Sequence, residues 1–388
     1  MIFLKTKLTI RIVSLLLTFC TLFLLLTFYA FAEEDASANY PCKSLVLMEA
    51  STGKILLAQN PDEALPPASV TKVMTLLLIM EAIDSGRISL SEQVTVSANA
   101  ASMGGSQVFL KEGEQMSVED LLKSIVIASA NDAAVALAEY LTGSVSAFVE
   151  QMNKRASALG MANTHFENPT GLDDTAVDHK ISAMDIAIMS RELLTHKTIL
   201  NYSSIWIDSI RDGAFGLTNT NRLVRYYPGC TGLKTGSTSK AGFCISATAE
   251  KNGMSLICVV MGAESRDLRN EIAKEVLDYG YANYALFTKE AAETEAPEVK
   301  GGKEDLCPVE HGSFSIVLPK GEVASIEEKL EMPEFLKAPI KRGETVGKLS
   351  FFLKGNEVGS LPITASKDVL KLTFFDLVKR VFAKALLI

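Results

Sequence analysis

Pro66-Pro67-Ala68-Ser69-Val70-Thr71-Lys72-Val73-Met74-Thr75 places a hydroxyl and an amine at the mouth of an apolar helix, and the rest of the chain is read outward from it. The two prolines impose an extended entry. From residue 70 to residue 83 nearly every position is apolar, the pattern of a helix buried inside its domain. Ser69 and Lys72 stand three apart and share one face of the first turn. A lysine held among apolar neighbours tends to lose its proton. A neutral amine beside a hydroxyl is one way to activate a nucleophile without histidine. The spacing alone is cheap, since Ser237 and Lys240 repeat it.

The chain has 388 residues, 48% of them hydrophobic, enough for two domains with a sizeable main core. Its net charge is -8 and no long basic stretch interrupts it, which excludes nucleic acid as a partner. Lys5, Lys7 and Arg11 precede an apolar stretch over 12–28, and Ala30-Phe31-Ala32 offers small-x-small before Glu33-Glu34-Asp35. Residues 1–32 therefore read as a signal peptide cleaved after Ala32, although the apolar stretch is long enough for an uncleaved anchor. Cys42, Cys230, Cys244, Cys258 and Cys307 remain beyond it, with neither a Cys-x-x-Cys pair nor a histidine cluster. No metal or other cofactor is expected. A hairpin turning at Asn252-Gly253 sets Cys258 opposite Ala247 and Cys244 opposite Met261, which disfavours a bridge and leaves buried free thiols as the expectation.

Along the chain, residues 43–49 and 54–60 read as two strands around Ser51-Thr52-Gly53. The Ser69 helix ends at Asp84-Ser85-Gly86, and 87–116 holds short mixed segments. Ser117-Val118-Glu119-Asp120 is a helix-start signal. Ser129-Ala130-Asn131-Asp132 then makes a polar knot between two apolar helices, where a loop side chain can point into a cleft. Ser37-Ala38-Asn39 and Ser97-Ala98-Asn99 repeat the pattern without that setting. Helices over 146–159, 183–194 and 270–279 and strand-like alternation over 242–249 and 254–262 complete the first domain, an α/β (α+β) arrangement. Residues 288–306 form a charged linker within 287–366, where runs at 313–318, 348–353 and 358–363 predict a small all-β domain. In the tail, Leu370, Phe374, Leu377, Val378, Val381, Phe382, Ala385 and Ile388 fall on one helical face, and Asp376, Lys379, Arg380 and Lys384 on the other. A helix lying on an anionic membrane and one docked on the β-domain share this periodicity.

Lys234-Thr235-Gly236 occurs at the start of a predicted strand, where glycine lets a ligand backbone lie against the edge and the Lys and Thr could hold a carboxylate. Ser-x-x-Lys, Ser-x-Asn and Lys-Thr-Gly in this order are the set found in serine β-lactamases and penicillin-binding proteins. Leu65–Lys72 as quoted, Ser129-Ala130-Asn131-Asp132-Ala133-Ala134, Phe166-Glu167-Asn168-Pro169-Thr170-Gly171-Leu172 and Gly232-Leu233-Lys234-Thr235-Gly236-Ser237-Thr238 resemble the D-alanyl-D-alanine carboxypeptidases. These are the low-molecular-mass penicillin-binding proteins of peptidase family S11. The resemblance covers 40–286, and 287–366 and the final helix, 367–388, fit the same layout.

It implies a serine β-lactamase/transpeptidase-like catalytic domain and no cofactor. It implies Ser69 as the acylated nucleophile, Lys72 as its base and Ser129 as the proton relay to the leaving D-alanine. Asn131 would contact the substrate amide, while Lys234, Thr235 and Arg269 would hold the terminal carboxylate. The backbone amides of Ser69 and Ser237, the latter beside Gly236, would form the oxyanion hole. Arg266 is the alternative to Arg269. The partners implied are peptidoglycan stem peptides ending in D-Ala-D-Ala, β-lactams as covalent inhibitors, and the outer face of the cytoplasmic membrane through 367–388.

Three rivals are set against this. A class A β-lactamase needs a carboxylate-activated water, and Glu167 lacks the Glu-x-x-Leu-Asn spacing of that class. An idle wall-binding protein has no use for the polar cluster. A Ser-His-Asp hydrolase would have to draw on His165, His179, His196 or His311, and no Gly-x-Ser-x-Gly is present.

Overall fold

The computed structural model describes residues 39–173 and 176–385, so the expected signal peptide lies outside the described residues. Hydrophobic strands of the two chain ends of the catalytic domain meet in one sheet. β1 (Ser44–Glu49) and β2 (Ile55–Gln59) turn where the buried Glu49 carboxylate accepts from the backbone N–H and hydroxyl of both Ser51 and Thr52. β3 (Cys230–Thr238), β4 (Gly242–Lys251) and β5 (Met254–Ala263) follow much later in sequence. Their spatial order is β2-β1-β5-β4-β3, every pair antiparallel.

Side chains alternate across this sheet, so both of its faces must be covered. On one face Val46, Met48, Ile257, Val259 and Met261 join the main core. That core is completed by α1 (Lys72–Asp84), α2 (Val118–Val126), α3 (Asn131–Thr142), α4 (Val145–Ala158) and α5 (Ala183–Leu193). On the other face Leu47 and Leu256 press on Gly280 of α6 (Arg266–Asn283). α1 is buried on almost every side, as its composition demands, and truncating its Leu77 to alanine would cost about 2–5 kcal/mol. Ser117, Ser144, Ser182 and Ser265 each accept from an N–H three residues on, so the helices start at the polar residues the sequence supplies. The Ser265 cap starts α6 four residues before the expected 270.

The Ser69 segment differs from the expected α-helical first turn. Ala68–Thr71 is a 3₁₀ turn and the α-helix begins at Lys72. The tighter winding eclipses positions i and i+3, which puts Lys72 directly in line with Ser69.

The second domain is all-β, with Ala292–Thr294, Val309–His311, Asn356–Ala365, Thr345–Leu353 and Ile326–Glu331 in that spatial order. Its core gathers Cys307, Val309, Phe351, Ile363 and Val369, with Phe314 stacked on Phe351 at 4.5 Å. Two boundaries are corrected. Within the expected linker 288–306, Glu298–Lys300 pairs in parallel with Phe335–Lys337 because Val299 is buried there. The tail helix α7 (Phe374–Ala385) begins seven residues after the expected 367, because Val369 is fully buried and bridges Ile340. No disulfide is present among the described residues; Cys244, Cys258 and Cys307 are buried, and Cys42 and Cys230 are half-buried. Cys258 pairs with Ala247 as expected, while Cys244 sits at a register shift between Phe243 and Ile245.

Candidate active site

Ser69 follows Ala68, whose backbone sits in the left-handed region at φ 49°. That strain is held by Gly171, which packs so closely that a Cβ there would lie 1.8 Å from Ala68 O. Lys72 Nζ is fully buried and stands 2.9 Å from Ser69 Oγ, 2.6 Å from Asn131 Oδ1 and 2.8 Å from Thr170 O. Burial, and next the nearby Lys234, hold its pKa well below the usual lysine range, with Asp132 pulling weakly the other way.

The Ser129–Asn131 knot lies between α2 and α3 as expected. Ser129 is 3% exposed, adopts φ 64°, and its Oγ has no hydrogen-bond partner among the described residues. A buried hydroxyl with a spent left-handed backbone is an arrangement kept for a ligand or a reaction. Asn131 is locked by its Nδ2 donating to Gly104 O at 2.7 Å. The adjoining Asp132 is fully buried and accepts from Val108 N and Leu110 N, pinning the loop that borders the knot.

Strand β3 closes the other side. Lys234 is 1% exposed, and its Nζ donates to Thr235 O at 3.0 Å. Burial, and next the Arg269 guanidinium, lower its pKa to about 7. Thr235 Oγ1 donates to Thr220 Oγ1 at 3.0 Å. Gly236 has a reason beside the one expected: a Cβ there would meet Ser69 N at 2.7 Å and Val70 N at 2.9 Å, so glycine lets β3 pack on the nucleophile turn itself. Arg269 is buried, donating to Asn270 Oδ1 at 2.8 Å and to Cys244 O at 3.3 Å, whereas Arg266 is exposed. Both line a cleft of about 590 Å³ with Ser69, Ser129, Thr235 and Ser237.

The expected residues thus converge from four separate stretches of chain. Thr170 O, Asp132 and Gly171 were not singled out for the site, and nothing in local spacing marks them. His179 is a loop-structuring residue: Nδ1 accepts from Glu167 N at 3.0 Å, leaving Nε2–H for Thr71 Oγ1 at 2.7 Å, and burial lowers its pKa to about 4. Glu167 Oε2 accepts from the N–H groups of Val177 and Asp178, at 2.7 and 3.2 Å.

Residues 31–265 match the family model described as D-alanyl-D-alanine carboxypeptidase, and 281–371 match the C-terminal domain of penicillin-binding protein 5. A D-alanyl-D-alanine carboxypeptidase of Bacillus subtilis is 42% identical over 92% of this chain and 95% of its own. Penicillin-binding protein 5 of Haemophilus influenzae superposes with a TM-score of 0.73 at 32% identity, covering 86% of this chain and 98% of that one. Penicillin-binding protein D2 of Listeria monocytogenes, solved in its ampicillin-bound form, matches 63% of this chain and 99% of its own at 30% identity and a TM-score of 0.58.

Proposed function

The chain belongs to the D-alanyl-D-alanine carboxypeptidase family, peptidase S11, and from that premise we propose that it removes the terminal D-alanine of peptidoglycan stem peptides through an acyl-enzyme on Ser69. The observation that carries this is the environment of Lys72. Two of its amine hydrogens are taken by Asn131 Oδ1 and Thr170 O, so a neutral amine offers its lone pair to the Ser69 hydroxyl 2.9 Å away.

In this reading the peptide's terminal carboxylate is held by Lys234, Thr235 and Arg269, and Asn131 contacts the peptide amide. Ser69 Oγ attacks the carbonyl carbon of the penultimate D-alanine as its proton passes to Lys72 Nζ. The oxyanion is met by the backbone N–H groups of Ser69 and Ser237, a pairing supported by the close packing of Gly236 on Ser69 N. Breaking the C–N bond requires a proton on the departing nitrogen, and the unpartnered Ser129 hydroxyl relays it. Water then hydrolyses the ester and frees Ser69. β-Lactams enter the same path and stop at the ester.

Export to the outer face of the cytoplasmic membrane, with α7 as the surface attachment, completes the proposal. Lys303 and Arg380 pair with Asp376 and Asp305 at 3.2 and 2.8 Å, tying the polar face of α7 to the β-domain. Leu377, Val381 and Phe382 stay exposed. No helix among the described residues is long and apolar enough to cross a membrane. The test is release of D-alanine from a pentapeptide ending in D-Ala-D-Ala, beside the same peptide amidated at its C-terminus. Turnover of the acid form, with the amide far slower, is expected. No release from the acid form ends the proposal.

A further inference from the structure

The cleft holds more positive charge than one carboxylate requires. Arg222, Arg266 and Arg269 line it, Lys234 stands behind Thr235, and none of its lining residues among those described is an aspartate or glutamate. Arg222 and Arg266 lie near enough to Arg269 that, after the larger effect of burial, they help press its pKa down to about 10. The segment carrying Arg222 is locked over the first half of β3. Asn221 Nδ2 donates to Gly232 O at 3.1 Å, and Thr220 meets Thr235. The nucleophile lies against Gly236 and the terminal carboxylate is assigned to Lys234, Thr235 and Arg269. The Arg222 segment therefore lies beyond the carboxylate, on the side of the leaving group.

An outer wall stands there. Trp206 and Tyr226 meet edge to face at 6.2 Å, and the Arg225 guanidinium lies 5.5 Å from each ring. Trp206 lines the cleft, and its Nε1–H has no acceptor among the described residues. The counter-ion of Arg222, Asp267, is 3.9 Å away and 82% exposed, a contact too loose to compete with a ligand.

We infer that Arg222 and Arg266, with Trp206, form a second anion subsite that selects leaving residues whose side chain carries a negative charge. This rests on the carboxypeptidase reading and leaves its chemistry unchanged: the same acyl bond breaks, and the released amino acid is longer and acidic. A field that draws in every anion would act equally on charge placed on the acyl side; a subsite does not.

The experiment measures KM and kcat for acyl-D-Ala-X with X as D-Ala, D-Glu or D-Lys, each with a neutral and a succinylated acyl group. The native protein, Arg222→Ala and Arg222→Glu are compared. The expected result is a KM for D-Glu about fivefold below that for D-Lys, the size of an exposed ion pair. Arg222→Ala should remove the preference and Arg222→Glu should invert it, with D-Ala turnover and penicillin acylation unchanged in both. Equal KM for D-Glu and D-Lys in the native protein, no turnover of the D-Glu substrate, or an equal loss for succinylated acyl groups overturns the subsite. Loss of D-Ala turnover in the native protein would instead strike the carboxypeptidase reading itself.

Discussion

Ser69 and Lys72 lie in a buried 3₁₀ turn, whereas Ser237 and Lys240, at the same spacing, straddle the exposed end of β3 and the turn after it. Lys72 Nζ is closed in by three oxygens, while Lys240 Nζ reaches Asp173 O at 3.1 Å from solvent. The residue types are identical and the chemistry is not, because only the first amine is taken out of water and set beside another cation. Spacing proposes a pair; desolvation decides what the pair can do.

The widest separation of the two pairs is expected with penicillin. Ser69→Ala should abolish the covalent adduct seen by mass spectrometry and lower turnover by roughly 10⁴-fold or more, as loss of a nucleophile does in other serine enzymes. Ser237→Ala should keep both, since only its backbone N–H is assigned a role. An adduct that persists in Ser69→Ala, or maps to the peptide holding Ser237, breaks the comparison.

Lys72→Arg against Lys240→Arg comes next. A guanidinium stays protonated and cannot accept the Ser69 proton, so Lys72→Arg should lose about 10²–10⁴-fold in kcat/KM. Lys240→Arg should lose nothing. The native pH profile follows from the two lysine shifts. Lys72 has a lowered pKa and is a base when neutral, so activity falls as acid protonates it. Lys234, lowered to about 7, binds the carboxylate when protonated, so kcat/KM should also decline as pH rises above that value. A profile flat from mild acid to mild alkali would contradict both assignments.

The Ser-x-Asn repeats sharpen the contrast on a smaller scale. Ser129 has a buried, unpartnered hydroxyl; Ser97 caps the short helix Ala98–Ala101, accepting from Ala100 N at 3.0 Å. Ser129→Ala should cut turnover by about 10²-fold with little change in stability. Ser97→Ala should leave turnover intact and cost about 1 kcal/mol in denaturant unfolding. Exchanged outcomes would reverse the roles of the two loops.

These repeats also mark what the sequence could carry. Ser69, Lys72, Ser129, Asn131 and Lys234 were legible because each motif is local, and the buried helices around them announce themselves by composition. Thr170 O was not, because it is a backbone atom brought 98 positions along the chain to Lys72. Gly171 carries no side chain to read, and its need appears only when Ala68 O is seen against it; Gly236 was marked for a ligand's approach, and its packing on Ser69 N appears only in the fold. In the second domain Ile326–Glu331 escaped because it is an exposed edge strand rich in charge, a pattern that protects an edge and hides its periodicity. Val299 was a single apolar residue in polar text and Val369 was absorbed into the apolar pattern of the tail helix, so only the assembled core reveals them as anchors.

The smallest effect on turnover is expected at α7. Cutting ahead of Phe374 spares Val369 and its bridge to Ile340, so the β-domain core keeps all of its buried members. A cut at 367 would remove that anchor and confuse unfolding with detachment. The shorter truncation should cleave soluble pentapeptide within about twofold of the full chain, because α7 contributes nothing to the cleft. Its binding to vesicles of phosphatidylglycerol should collapse, since it loses the exposed Phe374, Leu377, Val381 and Phe382 together with Lys379, Arg380 and Lys384. The full chain should bind those vesicles and release them as salt rises, because part of the attraction is to anionic headgroups. If the truncated protein binds as well as the full chain, the attachment lies elsewhere, and the exposed apolar face of α7 must serve a protein partner instead.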